Sequence, residues 1–145
     1  MILDERTEFA DAVTLPTAVA TANVGDIIDS SVARDLGQRP VYLVIQVDTA
    51  VVGTTSTVQF KLVSDSTSTI STTTATEHYI SAAIPEATLV AGFQMVIPLP
   101  GESPAYERFL AIQTVNAVNV LTAGVINAFL TLDPSGNRSY PDAVN

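Results

Sequence analysis

Val41–Asp48, VYLVIQVD, repeats with a period of two. Val41, Leu43, Ile45 and Val47 share one face, while Tyr42, Val44, Gln46 and Asp48 share the other and grow more polar toward its end. A strand packed on a core by one face needs that spacing, whereas a helix needs apolar residues three and four apart. The design recurs along the chain. Val58–Ser64 places Val58, Phe60 and Leu62 inward and Gln59 and Lys61 outward, and Phe93–Leu99 places Phe93, Met95, Ile97 and Leu99 on one face. Arg108–Val115 and Val125–Leu132 read as the last two strands. No stretch sustains a helical period.

Turn residues separate these runs. Pro16 interrupts Ala12–Ala20, making it an edge strand or a broken one, because proline cannot donate to a ladder. Gly25 marks a turn before a short strand at Asp26–Asp29. The loop Ser30–Pro40 contains Gly37 and launches the Val41 strand. Val41–Asp48 and Val58–Ser64, joined by a loop with Gly53, read as an antiparallel pair. Ser64–Thr76 is almost all hydroxyl. It reads as a loop anchored by Ile70 and followed by a strand over Thr72–Tyr79. Ser81–Leu89 is a connection carrying Pro85, Gly124 sits at the final bend, and Asp133–Asn137 closes the fold. About eight short strands predict an all-β protein, an antiparallel β-sandwich with jelly-roll or immunoglobulin-like connections. The absence of cysteine and tryptophan removes the usual immunoglobulin core marker, so a jelly roll fits better. We expect one domain over residues 1–145, with an N-terminal arm at 1–11 and a polar tail at 133–145.

The residues carry little that points to chemistry. His78 is the sole histidine and reads as a surface or strand-end residue. No serine lies in a Gly-x-Ser-x-Gly elbow, and Glu77, Glu86, Glu102 and Glu107 are what a solvated surface also supplies. Asp26, Asp29 and Asp35 hint at calcium but lack the spacing of an EF-hand loop. Without cysteine there is no disulfide or zinc-thiolate site, and no cofactor or metal is expected. Fifteen acids against six bases give a net charge of −9, which argues against nucleic acid as a direct partner. No window approaches the length of a membrane span, and MILDERTEF is unlike a signal peptide, so a soluble intracellular product is expected. Asn137-Arg138-Ser139 matches a glycosylation acceptor, which matters only for a secreted chain. Hydrophobic residues at 47% with charged residues at only 14% hint at a surface that meets another protein. The candidate contacts are Ile2, Leu3 and Phe9 in the arm, and Arg34 and Asp35, charges flanked by apolar segments. The plain alternatives are a frayed terminus and a local salt bridge.

Several runs together resemble a known family. They are Asn23–Asp29 (NVGDIID), Ala33–Gly37 (ARDLG) and Pro40–Ala50 (PVYLVIQVDTA). The opening Met1–Asp4 fits as well, as do Ile97–Pro100 before Arg108–Leu110, and Thr122–Val125 leading into Ala128–Leu130. The chain is similar, from Met1 to Leu132, to the cement (decoration) proteins of phage heads, of the type found on Bordetella short-tailed phage. That resemblance implies a jelly-roll subunit without enzyme activity. It implies self-association as a dimer or trimer and binding to the major capsid protein on the outside of an HK97-like head. Its place would be the virion surface after synthesis in the host cytoplasm. A carbohydrate-binding or tail-associated β-sandwich is the alternative, and it requires Tyr42, Tyr79, Tyr106 or Tyr140 to be exposed together.

Overall fold

A computed structural model describes residues 5–33, 40–101 and 104–136. Within them the chain is an all-β sandwich of two antiparallel sheets. The strands are β1 (Glu8–Thr14), β2 (Thr21–Asp29), β3 (Tyr42–Gly53), β4 (Thr57–Asp65), β5 (Thr76–Ile80), β6 (Ile84–Pro85), β7 (Gln94–Pro98), β8 (Phe109–Ala117) and β9 (Leu121–Thr131). The first sheet has the order β1-β9-β3-β7. The second has the order β2-β8-β4-β5, with the short β6 also on β4. Short 3-10 turns lie at Glu5–Thr7, Glu86–Thr88 and Pro134–Gly136.

These pairings have a simple origin. β1 pairs with β9, β2 with β8, β3 with β7 and β4 with β5, as in one long hairpin folded back on itself. Curling that ribbon adds the contacts β3·β9 and β4·β8 and closes both sheets. The result is a jelly roll. Successive strands mostly alternate between sheets, so β3 and β4 do not pair. The expected hairpin between them is wrong: β3 runs on to Gly53, and the turn after it carries the chain across the sandwich.

The core lies between the sheets. Leu43, Ile45 and Val47 from β3 and Val58, Phe60 and Leu62 from β4 are at most 1% exposed, as their alternation requires. Ile97, Leu110, Ile112 and Ile126 complete the same cluster. Val44 is also buried, although it belongs to the other face of β3.

Two expectations about the N-terminal half need correction. The arm expected at residues 1–11 is part of the sandwich from Glu8 onward, because Phe9 is fully buried in the core cluster. Gly25 is not a turn. It sits inside β2 at φ 71°, where the register against β8 shifts between Val24 and Ile28. It is a bulge, and β1 approaches so closely there that a Cβ on residue 25 would lie 1.9 Å from the Phe9 carbonyl oxygen.

The hydroxyl-rich segment covers the outside of the second sheet. Ile70 is buried against Val63 and Ala111, with Ala75 and Phe109 beside it. Asp65 accepts the Thr67 and Ser71 N–H groups, and Asn23 and Gln113 donate to the Ile70 and Ser71 carbonyls at 3.0 Å. Serine and threonine suit such a flap because their hydroxyls satisfy backbone groups locally. The strand that follows begins at Thr76, later than the expected Thr72.

Candidate interaction surface

The densest polar cluster surrounds His78. Its ring stacks on Tyr106 at 3.9 Å between centroids, and its Nε2 lies 2.7 Å from Ser64 Oγ. That hydroxyl also accepts the Glu107 N–H at 3.0 Å. The Glu107 carboxylate takes the Thr76 hydroxyl at 2.7 Å rather than the histidine. Burial holds the His78 pKa below its ordinary 6.5, against the opposing pull of the Pro104 backbone and Glu107. Ser64 has no solvent exposure, so the serine–histidine pair presents no nucleophile to a ligand. It braces β4 and β5 against the segment that enters β8. His78 is therefore half-buried and stacked within β5, where its sequence context suggested a surface or strand-end residue.

Asp29 is similarly occupied. Asp29 holds Arg108 in a two-pronged ion pair, with both N–O distances 2.8 Å. It also accepts the Ser31 N–H at 2.8 Å. The Arg108 and Ser31 hydrogen bonds lower the Asp29 pKa to about 2, and the pair raises that of Arg108. The guanidinium also lies 4.8 Å over the Phe109 ring. Among the described residues no group of three or more acids or histidines is placed to hold a metal; Asp35, the third of the acids named for calcium beside Asp26 and Asp29, lies outside them. A polar cleft of about 620 Å³ opens beside this pair, lined by Arg6, Glu8, Asp26, Ile27, Ile28, Asp29 and Ser31.

Of the expected contact residues, Phe9 is excluded by its burial in the core. Ile2, Leu3, Arg34 and Asp35 lie outside the described residues, as do Asn137–Ser139. The strand ends that flank the Arg34 segment, Asp29 and Tyr42, belong to the end of the sandwich that holds Arg108. The opposite end is different in character. There the β1–β2, β3–β4, β5–β7 and β8–β9 connections converge, and hydrogen bonds tie them together. Leu121 N–H reaches the Thr17 carbonyl at 2.9 Å and Asn116 N–H the Ala20 carbonyl at 3.0 Å. Asn119 Nδ2 donates to the Thr54 carbonyl at 2.7 Å, and Ser56 Oγ to the Asn119 carbonyl at 3.0 Å. Val51 N–H reaches the Leu89 carbonyl at 2.9 Å and Glu86 N–H the Ser56 carbonyl at 3.1 Å. On this end Val118 is 64% exposed, Val120 57%, Val90 53%, Val19 50% and Val52 48%. Val19, Val90, Val118 and Val120 stand in connections and Val52 near the end of β3, while Val32 at 54% and Leu132 at 65% are as exposed at the other end. Sequence reading missed them because valines at strand ends look like continuations of the strand.

The model of the Bbp16 family matches residues 9–130, most of the chain and every strand but the first residue of β1 and the last of β9. The chain belongs to the Bbp16 family. That family is named for a Bordetella phage protein, and the match is consistent with a phage protein family. No curated protein matches it in sequence. The Bbp16 match covers the whole jelly roll, including all four connections of the valine-rich end.

Proposed function

We propose that this Bbp16-family chain is a structural cement protein, which binds the outside of an HK97-like phage head and stabilises it by bridging neighbouring capsomers. Membership of a phage family over residues 9–130 is the observation that carries the reading. The fold suits it: a jelly roll leaves no long unpaired sheet in its interior and presents rigid connections at two ends. The partners are the major capsid protein and further copies of the chain itself. The net charge of −9 favours protein over phosphate as the surface it meets, and no bond is made or broken. Packaged DNA pushes the shell outward, and a clamp across the joints opposes the separation. Each contact need be only modest, because a second contact made by an anchored clamp is effectively intramolecular.

A glycan-binding reading finds less support. Tyr106 is buried beneath His78 with its hydroxyl on the Pro100 carbonyl at 2.9 Å, Tyr42 and Tyr79 are half-buried on different sheets, and Tyr140 lies outside the described residues. The test is to add purified chain to heads lacking it and to measure both occupancy and the temperature at which the heads release DNA. Saturable binding with a raised release temperature is expected. Heads that neither bind the chain nor gain stability would refute the reading.

A further inference from the structure

We propose that the outer face of the first sheet is a docking surface, and that its occupant is the chain's own segment Met1–Asp4, with Ile2 and Leu3 seated over Val44 and Phe129. Met1–Asp4 lies outside the described residues, but the face it would cover does not.

Val44 and Phe129 are cross-strand partners on β3 and β9. Their neighbours along the strands, Leu43, Ile45 and Ala128, belong to the core cluster, whereas Val44 and Phe129 belong to neither buried cluster. Both therefore point away from the second sheet. Yet Val44 is 0% exposed and Phe129 only 3%. Side chains stand roughly perpendicular to a sheet, so neighbours in the plane shield their flanks and leave their tips open. Val96 shows the contrast: it pairs with Val44 from the other side, faces the same way, and is 42% exposed. The cover lies over β9 and β3 and stops short of β7, so it enters from the β1 edge.

Chain connectivity selects the segment. Glu8 of β1 is opposite Phe129, and the 3-10 turn Glu5–Thr7 just before it packs on β9. With strands about 4.8 Å apart, Val44 is about 10 Å from Glu8. Allowing about 2.0 Å per residue through the turn and about 3.3 Å beyond it, Leu3 reaches about 12 Å. The chemistry agrees with the reach. Around the two covered residues the outward-facing Tyr42, Gln46, Val96, Asn127 and Thr131 carry no charged group, which suits the aliphatic Ile2 and Leu3 better than the tail at 137–145 with its Arg138 and Asp142. In this arrangement Ile2 and Leu3 serve their own sheet, and another protein gains the face only by displacing them.

The chain has no cysteine, so single engineered thiols report on the cover. In the intact chain Val44→Cys is expected to react with a maleimide at least about 100-fold more slowly than Val96→Cys, and about as slowly as the core variant Val47→Cys. Adding Ile2→Asp and Leu3→Asp should speed the reaction at Val44→Cys by at least about 10-fold, roughly the factor for one large aliphatic side chain lost from apolar contact, and leave Val47→Cys unchanged. Ile2→Val with Leu3→Met should keep the protection. Leu3→Cys combined with Val44→Cys should, on oxidation of a dilute sample, close a disulfide within one chain. A rate at Val44→Cys that ignores the changes at Ile2 and Leu3, or that rises equally at Val47→Cys, overturns the proposal. So does a rise caused instead by Tyr140→Asp, which gives the face to the tail, or a disulfide that joins two chains, which gives it to a second copy. None of these measurements uses phage heads, so the cement reading stands or falls separately.

Discussion

Replacing Gly25 with alanine tests the closest approach in the molecule. At φ 71° an L-residue costs about 1–2 kcal/mol relative to glycine. The new Cβ would also lie 1.9 Å from the Phe9 carbonyl oxygen and 2.9 Å from the carbonyl carbon. Both are backbone atoms, so no side-chain rotation relieves the clash and β1 must back away from β2. That movement unseats Phe9, which is fully buried, and complete loss of a core phenylalanine side chain costs about 3–5 kcal/mol. Losing half of that packing and adding the conformational cost gives roughly 3–4 kcal/mol, a large share of the about 5–15 kcal/mol that holds such a domain. Gly92→Ala is the matched control. Its φ is 87°, yet an added Cβ meets nothing within 4 Å, so only the conformational cost applies. Both variants change the unfolded chain alike, so that contribution cancels between them. With a urea dependence of about 1–3 kcal/mol per molar, the remaining difference of about 2 kcal/mol should separate the two unfolding midpoints by roughly 1 M. Coincident midpoints would refute the claim that β1 is clamped on the Gly25 bulge.

Three further outcomes are expected. His78 has a lowered pKa in the fold, so the unfolded chain binds its proton more readily; stability from this residue is present above pH 6.5 and is lost as pH falls below it. Urea unfolding across that range should show the decline in the wild type and a flatter profile in His78→Gln. Thr114 is fully buried opposite Phe60, and its hydroxyl has no hydrogen-bond partner among the described residues; Thr114→Val should therefore stabilise by about 1 kcal/mol in thermal melts. Val118→Gly removes the positive-φ cost but frees the unfolded backbone, for a net gain of about 0.5–1 kcal/mol in thermal melts.

From Tyr42 onward, strand positions and inward faces were legible because they depend on neighbours one and two residues away, whereas the strand expected at Ala12–Ala20 is in fact β1 at Glu8–Thr14 followed by a connection. Leu43, Ile45, Val47, Val58, Phe60 and Leu62 all fill the core from alternation alone. Strand partners were not legible in the same way. A turn with Gly53 reads the same whether the next strand pairs with the last or crosses to the other sheet, and only the whole ribbon, β3·β7 and β4·β5 together, decides it. Phe9 illustrates the matching limit for terminal residues. Its neighbours are acidic and aperiodic, so nothing local shows that Gly25 leaves room for β1 to press it into the core.

The same limit explains why the exposed valines at one end of the sandwich were not foreseen. Charged residues such as Arg34 and Asp35 stand out in an apolar sequence, whereas Val19, Val52, Val90, Val118 and Val120 are scattered over about a hundred positions and each resembles the end of a strand. Only the jelly-roll connections bring them to one end, and only the hydrogen bonds from Leu121, Asn119 and Val51 hold them as one surface. Burial along a strand is governed by the local period; exposure at the end of a sandwich is governed by topology. Apolar residues left exposed in such a fold are therefore located only after the strands have been paired, and in this chain five valines lie at the end whose connections carry one ionisable residue, Glu86.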